Sequence, residues 1–595
     1  MEGPVDVCVD RPVLSLDRPF TYILPAGTDA GTGSRVQVPF HGRRTRAWVL
    51  EAARKAPPRV LEVSSVASPV RFFDAAGLEL FRWVAERYVA PLATVIGRAL
   101  PPRVVAEELG WKMPATPGPV EPPAGGAASV LAGYRGGDAL IRALAGGSGA
   151  FSVRPAPEDE VEVAVEAVAR CLQGGRRAIV LVAEARPLPA TARAIGEAFG
   201  DRVALLAGGD RRTRYRLWLD VLDRRYDVVV GTRPAVFAPI VGLGLVYVSR
   251  ESHPAHREDR APYYHVRDVA RARADRSGAV MVGAAMCPSA EAASDPSVIA
   301  VGPTGRRWPP VEVVRPGPEG RAPRLVRALR DVHRGFILAP LPGYGIAQVC
   351  RSCGSPAACA ACGGTLRAAA GSVACIVCEA PGRCARCGAD RFGIRRGGAE
   401  RVEEWAASVA SVPVRRIARG GRARLPRREE ILVGGTDAVR DLGPGGLDLV
   451  AVLDADLAER RPGLAARERA VAVAMEAIGW ARPDGRAIVQ SARPSDPAVQ
   501  ALVRGNADRF LAVEAGRRAA AGFPVGAPVF RVAGRPGLEV ELEAVRPITL
   551  LVTGAGDQTV CLVSLEPRRL PAFGSLIRRL AARDVVARVE AEPHL

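Results

Sequence analysis

Four Cys-x-x-Cys pairs fall within 38 residues: Cys350 and Cys353, Cys359 and Cys362, Cys375 and Cys378, Cys384 and Cys387. No other feature constrains the chain as tightly. Each such turn aims two thiolates at one point, and four thiolates complete a closed tetrahedral shell around zinc with Zn–S distances of ~2.3 Å. The gaps between pairs are 5, 12 and 5 residues. That symmetry suggests nesting, in which the inner two pairs close one site across a hairpin and the outer two close another at its base. Two structural zinc ions per chain are expected, with no open position for a substrate. Disulfides, an iron–sulfur cluster or redox pairs are the alternatives; regular spacing in a chain with no secretory leader favours zinc. The other four cysteines, Cys8, Cys171, Cys287 and Cys561, lie in apolar contexts and read as small buried hydrophobes.

At 595 residues and 48% hydrophobic content, the chain has material for about four domains with real cores. No apolar run reaches the roughly 18 residues a membrane span needs. The start, Met1-Glu2-Gly3-Pro4-Val5-Asp6, lacks the basic and apolar regions of a secretory signal. A cytoplasmic protein without a membrane partner is expected. Lysine and arginine number 82 against 63 acidic residues, a net charge of +19. Such a balance favours a polyanion, most commonly nucleic acid, over a general surface bias. Only Lys55 and Lys112 are lysines; every other residue in that cationic count is arginine.

Residues 1–105 alternate short β-like runs with turns, as in Phe20-Thr21-Tyr22-Ile23-Leu24, and add a helical stretch near 77–89. Residues 106–128 read as a linker, with prolines at 114, 117, 119, 122 and 123. From about 129, continuous apolar strands alternate with helices, the pattern of a parallel α/β sheet. Two such units in tandem are expected, over 129–305 and 306–505, the second interrupted by the cysteine insertion at 350–387. Residues 506–595 read as a small α+β domain. An arginine-rich flank runs from Arg383 to Arg428.

Tandem α/β units with this charge raise the idea of a helicase motor. Such a motor needs a glycine loop ending in lysine and a hydroxyl residue, to cradle phosphates and hold Mg²⁺. Both lysines precede the first α/β unit, so no such lysine exists there. The nearest candidate loop, Gly146-Gly147-Ser148-Gly149-Ala150-Phe151, has Ala and Phe at the required positions and reads better as a flexible loop. A carboxylate pair is also needed after a strand; Ser249-Arg250-Glu251-Ser252-His253 keeps one carboxylate and gains an arginine. Glu251 and His253 read as loop residues before catalytic ones.

The cysteine block, Gly231-Thr232-Arg233-Pro234-Ala235-Val236-Phe237-Ala238-Pro239, the run Pro262–Ala270 and Val452-Leu453-Asp454-Ala455-Asp456-Leu457 together resemble the replication-restart primosomal helicases of the PriA family. The resemblance spans about 1–105 and 130–595. It implies one zinc on Cys350, Cys353, Cys384 and Cys387 and another on Cys359, Cys362, Cys375 and Cys378, in agreement with the nesting. It also implies an N-terminal 3′-end DNA-binding domain containing Phe20 and Tyr22, where Thr21 replaces the family's aspartate. The departures all fall on the motor. The phosphate-loop lysine is gone and the acidic box is degraded. Of the family's arginine-finger segment, placed on Met475–Arg482, only Arg482 survives as a candidate finger. The family's winged-helix domain has no counterpart beyond the linker. The pattern is similar to an actinobacterial branch that keeps the architecture without a working motor.

The resulting expectation is a replication restart protein that binds stalled forks and single-strand–duplex junctions and has no catalytic residues. It would promote primosome assembly and replicative helicase reloading, with single-stranded DNA-binding protein as a further partner. Arginine–phosphate contacts would supply most of the affinity, with Phe20 and Trp48 as candidate base-stacking aromatics, Trp48 equally suiting a core position. The alternatives are an active 3′-5′ helicase with unconventional nucleotide binding, or a zinc-ribbon nucleic-acid protein of another function.

Overall fold

The computed structural model describes residues 3–593 except 56–57, 112–119, 121–128, 318–320, 340–344, 354–356, 362–365, 370–371, 376–377, 397–398, 419–423, 427, 459–462 and 556–557. The linker expected at 106–128 lies mostly outside the described residues. Its first turn, Val105–Glu108, is pinned in place. Glu108 accepts hydrogen bonds from Ser68 and Tyr215 and pairs with Arg103, while Glu107 pairs with Arg212 and Arg216.

The N-terminal unit is a five-stranded antiparallel sheet in the spatial order Phe20–Leu24, Gly3–Val9, Arg43–Ala52, Ser34–Phe40, Ser65–Arg71. Alternation builds it: Val36 and Val38 of Ser34–Phe40 point into the core while the residues between them are partly exposed. His41 and Gly42, both at positive φ, make the two-residue reversal into Arg43–Ala52. Helix Ala75–Arg87 covers the sheet, capped by Asp74, whose carboxylate accepts the Gly77 N–H at 2.8 Å.

The first α/β lobe holds eight strands in the order Tyr134–Arg135, Val298–Pro303, Gly149–Val153, Val280–Ala284, Leu243–Ser249, Arg177–Leu181, Val228–Gly231, Val203–Leu205. All pair in parallel except Tyr134–Arg135. Every residue of Leu243–Ser249 is buried, as helices on both faces of a parallel sheet require. The expected loop at Gly146–Phe151 is corrected here. Gly137–Gly146 is a helix and Gly149–Val153 a central strand, because Ala150, Phe151 and Val153 form an apolar run buried between neighbouring strands.

The second lobe is a wholly parallel six-stranded sheet: Val311–Val314, Ala481–Gln490, Leu447–Val452, Arg334–Leu338, Glu430–Gly434, Val414–Arg416. Between Arg334–Leu338 and helix Ala399–Val409 a four-stranded antiparallel ribbon emerges: Ser372–Cys375, Leu366–Ala369, Gly345–Cys350, Phe392–Arg396. Among the described residues the buried core of the ribbon is Cys350, Cys359, Leu366, Cys375, Cys384 and Phe392, most of them thiols.

The C-terminal sheet, in the order Thr549–Ala555, Gln558–Ser564, Val529–Gly534, Val586–Ala591, is backed by helix Leu570–Ala582. It folds back on the N-terminal unit. Phe530 and Phe573 share a core with Phe81 and Val84, and Arg578 Nε lies 2.8 Å from Asp17 Oδ2. No described helix is long and apolar enough to cross a membrane.

Candidate functional site

The ribbon brings the outer cysteines together. Cys350, Cys353, Cys384 and Cys387 form one cluster whose sulfurs all lie within 4.8 Å of one another. Cys350 Sγ is 3.6 Å from Cys387 Sγ, and Cys353 Sγ is 3.7 Å from Cys384 Sγ. A disulfide needs ~2.05 Å. Thiolates at the corners of a tetrahedron with ~2.3 Å metal–sulfur bonds lie ~3.8 Å apart, so these separations fit a metal shell. Cys359, Cys375 and Cys378 form the inner cluster, with Cys359 and Cys378 sulfurs 3.6 Å apart. Its expected fourth ligand, Cys362, lies outside the described residues. Local backbone bonds set the outer turns: Cys384 N–H donates to the Ala389 carbonyl, and Gly388, at φ +72, donates back to Cys384. Each cluster could hold a metal ion.

In sequence the glycine stretch Gly146–Phe151 reads as a flexible loop rather than a phosphate cradle, and a strand-to-helix connection follows it a few residues later. Strand Gly149–Val153, a connection, a 3₁₀ turn at Pro157–Asp159 and helix Glu160–Gln173 follow in the strand–loop–helix order that presents backbone N–H groups to a phosphate. The connection reads Arg154-Pro155-Ala156-Pro157-Glu158-Asp159. Two prolines there have no N–H. The N–H groups of Arg154, Ala156 and Asp159 are already donated, to the Val301 carbonyl, the Tyr134 hydroxyl and the Ala156 carbonyl. Glu158 and Asp159 put carboxylates at the helix N-terminus, where they suit the helix dipole but repel an incoming phosphate. Arg307 pairs with both.

Charge pins one end of the adjoining cleft between the lobes, beside a cavity of about 420 Å³ lined by Glu184, His253 and Pro254 on one side and Thr436, Ala455 and Arg469 on the other. Arg250, the arginine that entered the acidic box, is 3% exposed; Glu160 and Glu476 beside it are 7% and 4% exposed. Arg250 Nε lies 3.1 Å from Glu160 Oε1 and Arg250 Nη1 3.1 Å from Glu476 Oε2, joining first lobe to second. Burial, then the nearby carboxylates of Glu160 and Asp441, push Glu476 up to about 7 despite Arg250. Burial likewise raises Glu160. Burial opposes the Arg250 charge, and the two carboxylates outweigh it, so its guanidinium is held protonated. Three more contacts cross the cleft. Arg440 lies 3.6 Å from Glu184, and Asp441 accepts the N–H groups of Ala190 (3.0 Å, carbonyl) and Thr191 (3.2 Å, carboxylate) at the start of helix Ala190–Phe199.

Glu251 and His253 are held in structural roles. Glu251 is buried, accepts from the Ser289 N–H and hydroxyl at 3.0 and 2.7 Å, and pairs with Arg267 at 3.3 Å. His253 Nδ1 accepts the Ala255 N–H, and burial, with His256 and Arg250 nearby, lowers its pKa to about 3, so it stays neutral. Arg482 pairs within its own lobe, with Asp448 and Asp484, and is 42% exposed. The segment Val452–Leu457 carries two acceptors that tie strand ends: Asp454 accepts from Gln490 and pairs with Arg321, and Asp456 accepts from Ser491.

On the N-terminal unit, Phe20 and Phe40 meet edge-to-face at 5.1 Å, with His41 on the other side of Phe40 at 4.4 Å and Arg18 over Phe20 at 5.0 Å. Arg18, His41, Arg43 and Arg44 are exposed around this cluster. Phe40 falls in Val38-Pro39-Phe40, a run similar to the family's N-terminal domain; His41 was not singled out in the sequence, and the tight turn that brings it to Phe40 was the available signal. Thr21 donates to Asp6 Oδ1 at 2.8 Å across the strand pair, so a carboxylate does reach this edge, from the neighbouring strand. Trp48 is 6% exposed and packs on Phe72 and Phe73, a core residue unavailable to a base.

Comparison with known proteins agrees with this layout. The 3′DNA-binding domain (3′BD) family of PriA matches residues 6–101. The probable replication restart protein PriA of Mycobacterium leprae is 31% identical over 580 residues, covering 89% of this chain and 87% of that protein. The Mycobacterium tuberculosis protein of the same description is 30% identical over 617 residues, covering 95% and 92%. The replication restart protein PriA of Treponema pallidum is 27% identical, covering 86% and 83%. Among solved structures, the DExH-box NTPase HrpB of E. coli aligns at a TM-score of 0.35 and 16% identity over 64% of this chain and 43% of that one, a likeness too loose to build on. With an N-terminal DNA-binding unit, two parallel α/β lobes and a thiolate-clustered ribbon in one chain, this protein belongs to the replication restart protein PriA family.

Proposed function

We propose that this protein binds branched DNA at abandoned forks, promotes primosome assembly and replicative helicase reloading, and does so without hydrolysing ATP or separating strands. One observation supports the second half: the connection into helix Glu160–Gln173 is broken by prolines and ends in carboxylates, and the buried Arg250 pairs across the adjoining cleft. The DNA-binding half is supported by the +19 charge, the 3′BD match and the arginine–aromatic cluster around Phe20. Zinc is the metal that four-thiolate shells of this spacing favour, two per chain, with Cys362 completing the inner site. Work at a fork puts the protein in the cytoplasm on the nucleoid, with helicase-loading proteins and single-stranded DNA-binding protein as partners.

The test is nucleotide turnover by the zinc-loaded chain, with and without a forked DNA. The expected result is hydrolysis no faster than buffer, alongside fork binding that weakens steeply with salt. ATP-fuelled strand separation, or a strong preference for structured RNA over forks, would overturn the proposal.

A further inference from the structure

The two thiolate clusters are dressed differently. Between the paired cysteines of the outer cluster stand Arg351-Ser352 and Ala385-Arg386; in the inner cluster the same positions are Ala360-Ala361 and Ile376-Val377. Arg351 and Arg386 are exposed, as are Arg383 and Arg391 beside the same turns. The fold gathers them. The sulfurs flanking Arg351 and Arg386 approach to 3.6 and 3.7 Å, so both arginine-bearing turns close on one point. Arg351 also donates its N–H to the Arg391 carbonyl at 2.9 Å, which sets those two residues side by side.

Among the described residues none of these four guanidiniums pairs with a carboxylate. A short way along the chain, Arg415 and Arg416 pair with Glu430, Glu403 and Glu400. A zinc ion in four thiolates keeps two negative charges, which nearby arginines could offset. Both clusters would carry that charge, yet only the outer one has arginine in its turns. The shell therefore does not account for them. What remains is a tip whose planar donor forks have no carboxylate partner among the described residues, and whose natural complement is phosphate. Neighbouring phosphates on one nucleic-acid strand, spaced about 3.4 Å along the helix axis, offer a row of such acceptors.

We propose that this arginine-tipped pair of turns is a second nucleic-acid contact, gripping the phosphate backbone apart from the N-terminal unit, a role that rests on the DNA-binding function proposed above. The full zinc-loaded chain and its R351A/R386A and R351K/R386K variants are compared for fork binding between about 50 and 200 mM salt. The alanine pair is expected to keep both zinc ions. Its plot of log affinity against log salt should be shallower by about 2, and its low-salt binding weaker by roughly tenfold. The lysine pair should keep the slope. An unchanged slope in the alanine variant, loss of zinc from it, or a lysine variant as weak as the alanine one would each overturn the proposal while leaving fork binding by the unsubstituted chain intact. No fork binding by the unsubstituted chain would instead remove the proposed function.

Discussion

The hairpin edge around Phe20 and the cleft around Arg250 use the same residue type in opposite ways. At the edge, Arg18, Arg43 and Arg44 stand exposed beside two aromatic rings that share an edge-to-face contact. In the cleft, Arg250 is sealed between Glu160 and Glu476. The first arrangement leaves charge for an outside partner. The second consumes its charge internally, and a buried guanidinium with two buried carboxylates has nothing left for a ligand. Family resemblance alone does not separate these regions; the burial of the charges does.

The ribbon offers the largest effect by which to sharpen that contrast. Stripping the metal should unfold residues 345–396, since their core is mostly thiol groups and a structural zinc contributes on the order of 10–16 kcal/mol of apparent binding free energy. The two lobes, whose apolar cores are separate from it, should stay folded. Limited proteolysis alongside metal content reads this out, and simultaneous loss of lobe structure would contradict it.

Next in size is R250A. Removing the guanidinium leaves Glu160 and Glu476 buried and unpaired, with an expected loss of about 3–5 kcal/mol in urea unfolding. R43A/R44A, at the exposed edge, should shift stability by under about 0.5 kcal/mol while weakening fork binding. Equal stability losses in both would dissolve the distinction. F20A/F40A should then lower affinity for a fork with a single-stranded arm by about 1–3 kcal/mol per stacked base, measured by titration at fixed salt. The smallest effect concerns pH. Glu476 titrates at about 7 in the folded chain against an ordinary 4.5, so the folded state binds the extra proton. Its contribution to stability is full below about 4.5 and is lost as pH rises through about 7. E476Q should flatten that decline relative to the unsubstituted chain, as followed by urea midpoints from pH 5 to 8.

Much of this was legible in the residues. Helix Ala466–Ile478 and the buried strand Leu243–Ser249 follow directly from apolar period and length. Spacing alone gave the nesting of the outer cysteines. The stretch Gly146–Phe151, expected as a flexible loop, shows the limit. Gly146-Gly147-Ser148-Gly149 has the right composition, but phosphate binding depends on chain direction, and those glycines leave a helix and enter a strand. The strand-to-helix connection that follows, Arg154–Asp159, has no glycine to mark it. Arg250 was visible as an intruder, but its partners Glu160 and Glu476 are set by tertiary packing. Local pattern cannot encode a contact between lobes. Asp6 reached Thr21 through strand register for the same reason.

The Arg250 contacts join residues 90 and 226 positions apart. Exchanging Arg250 for a neutral residue strands two carboxylates away from water, whereas exchanging either glutamate leaves the guanidinium its other partner. The pin between the lobes therefore rests on its centre: either carboxylate can vary singly, but the arginine cannot without cost on both sides.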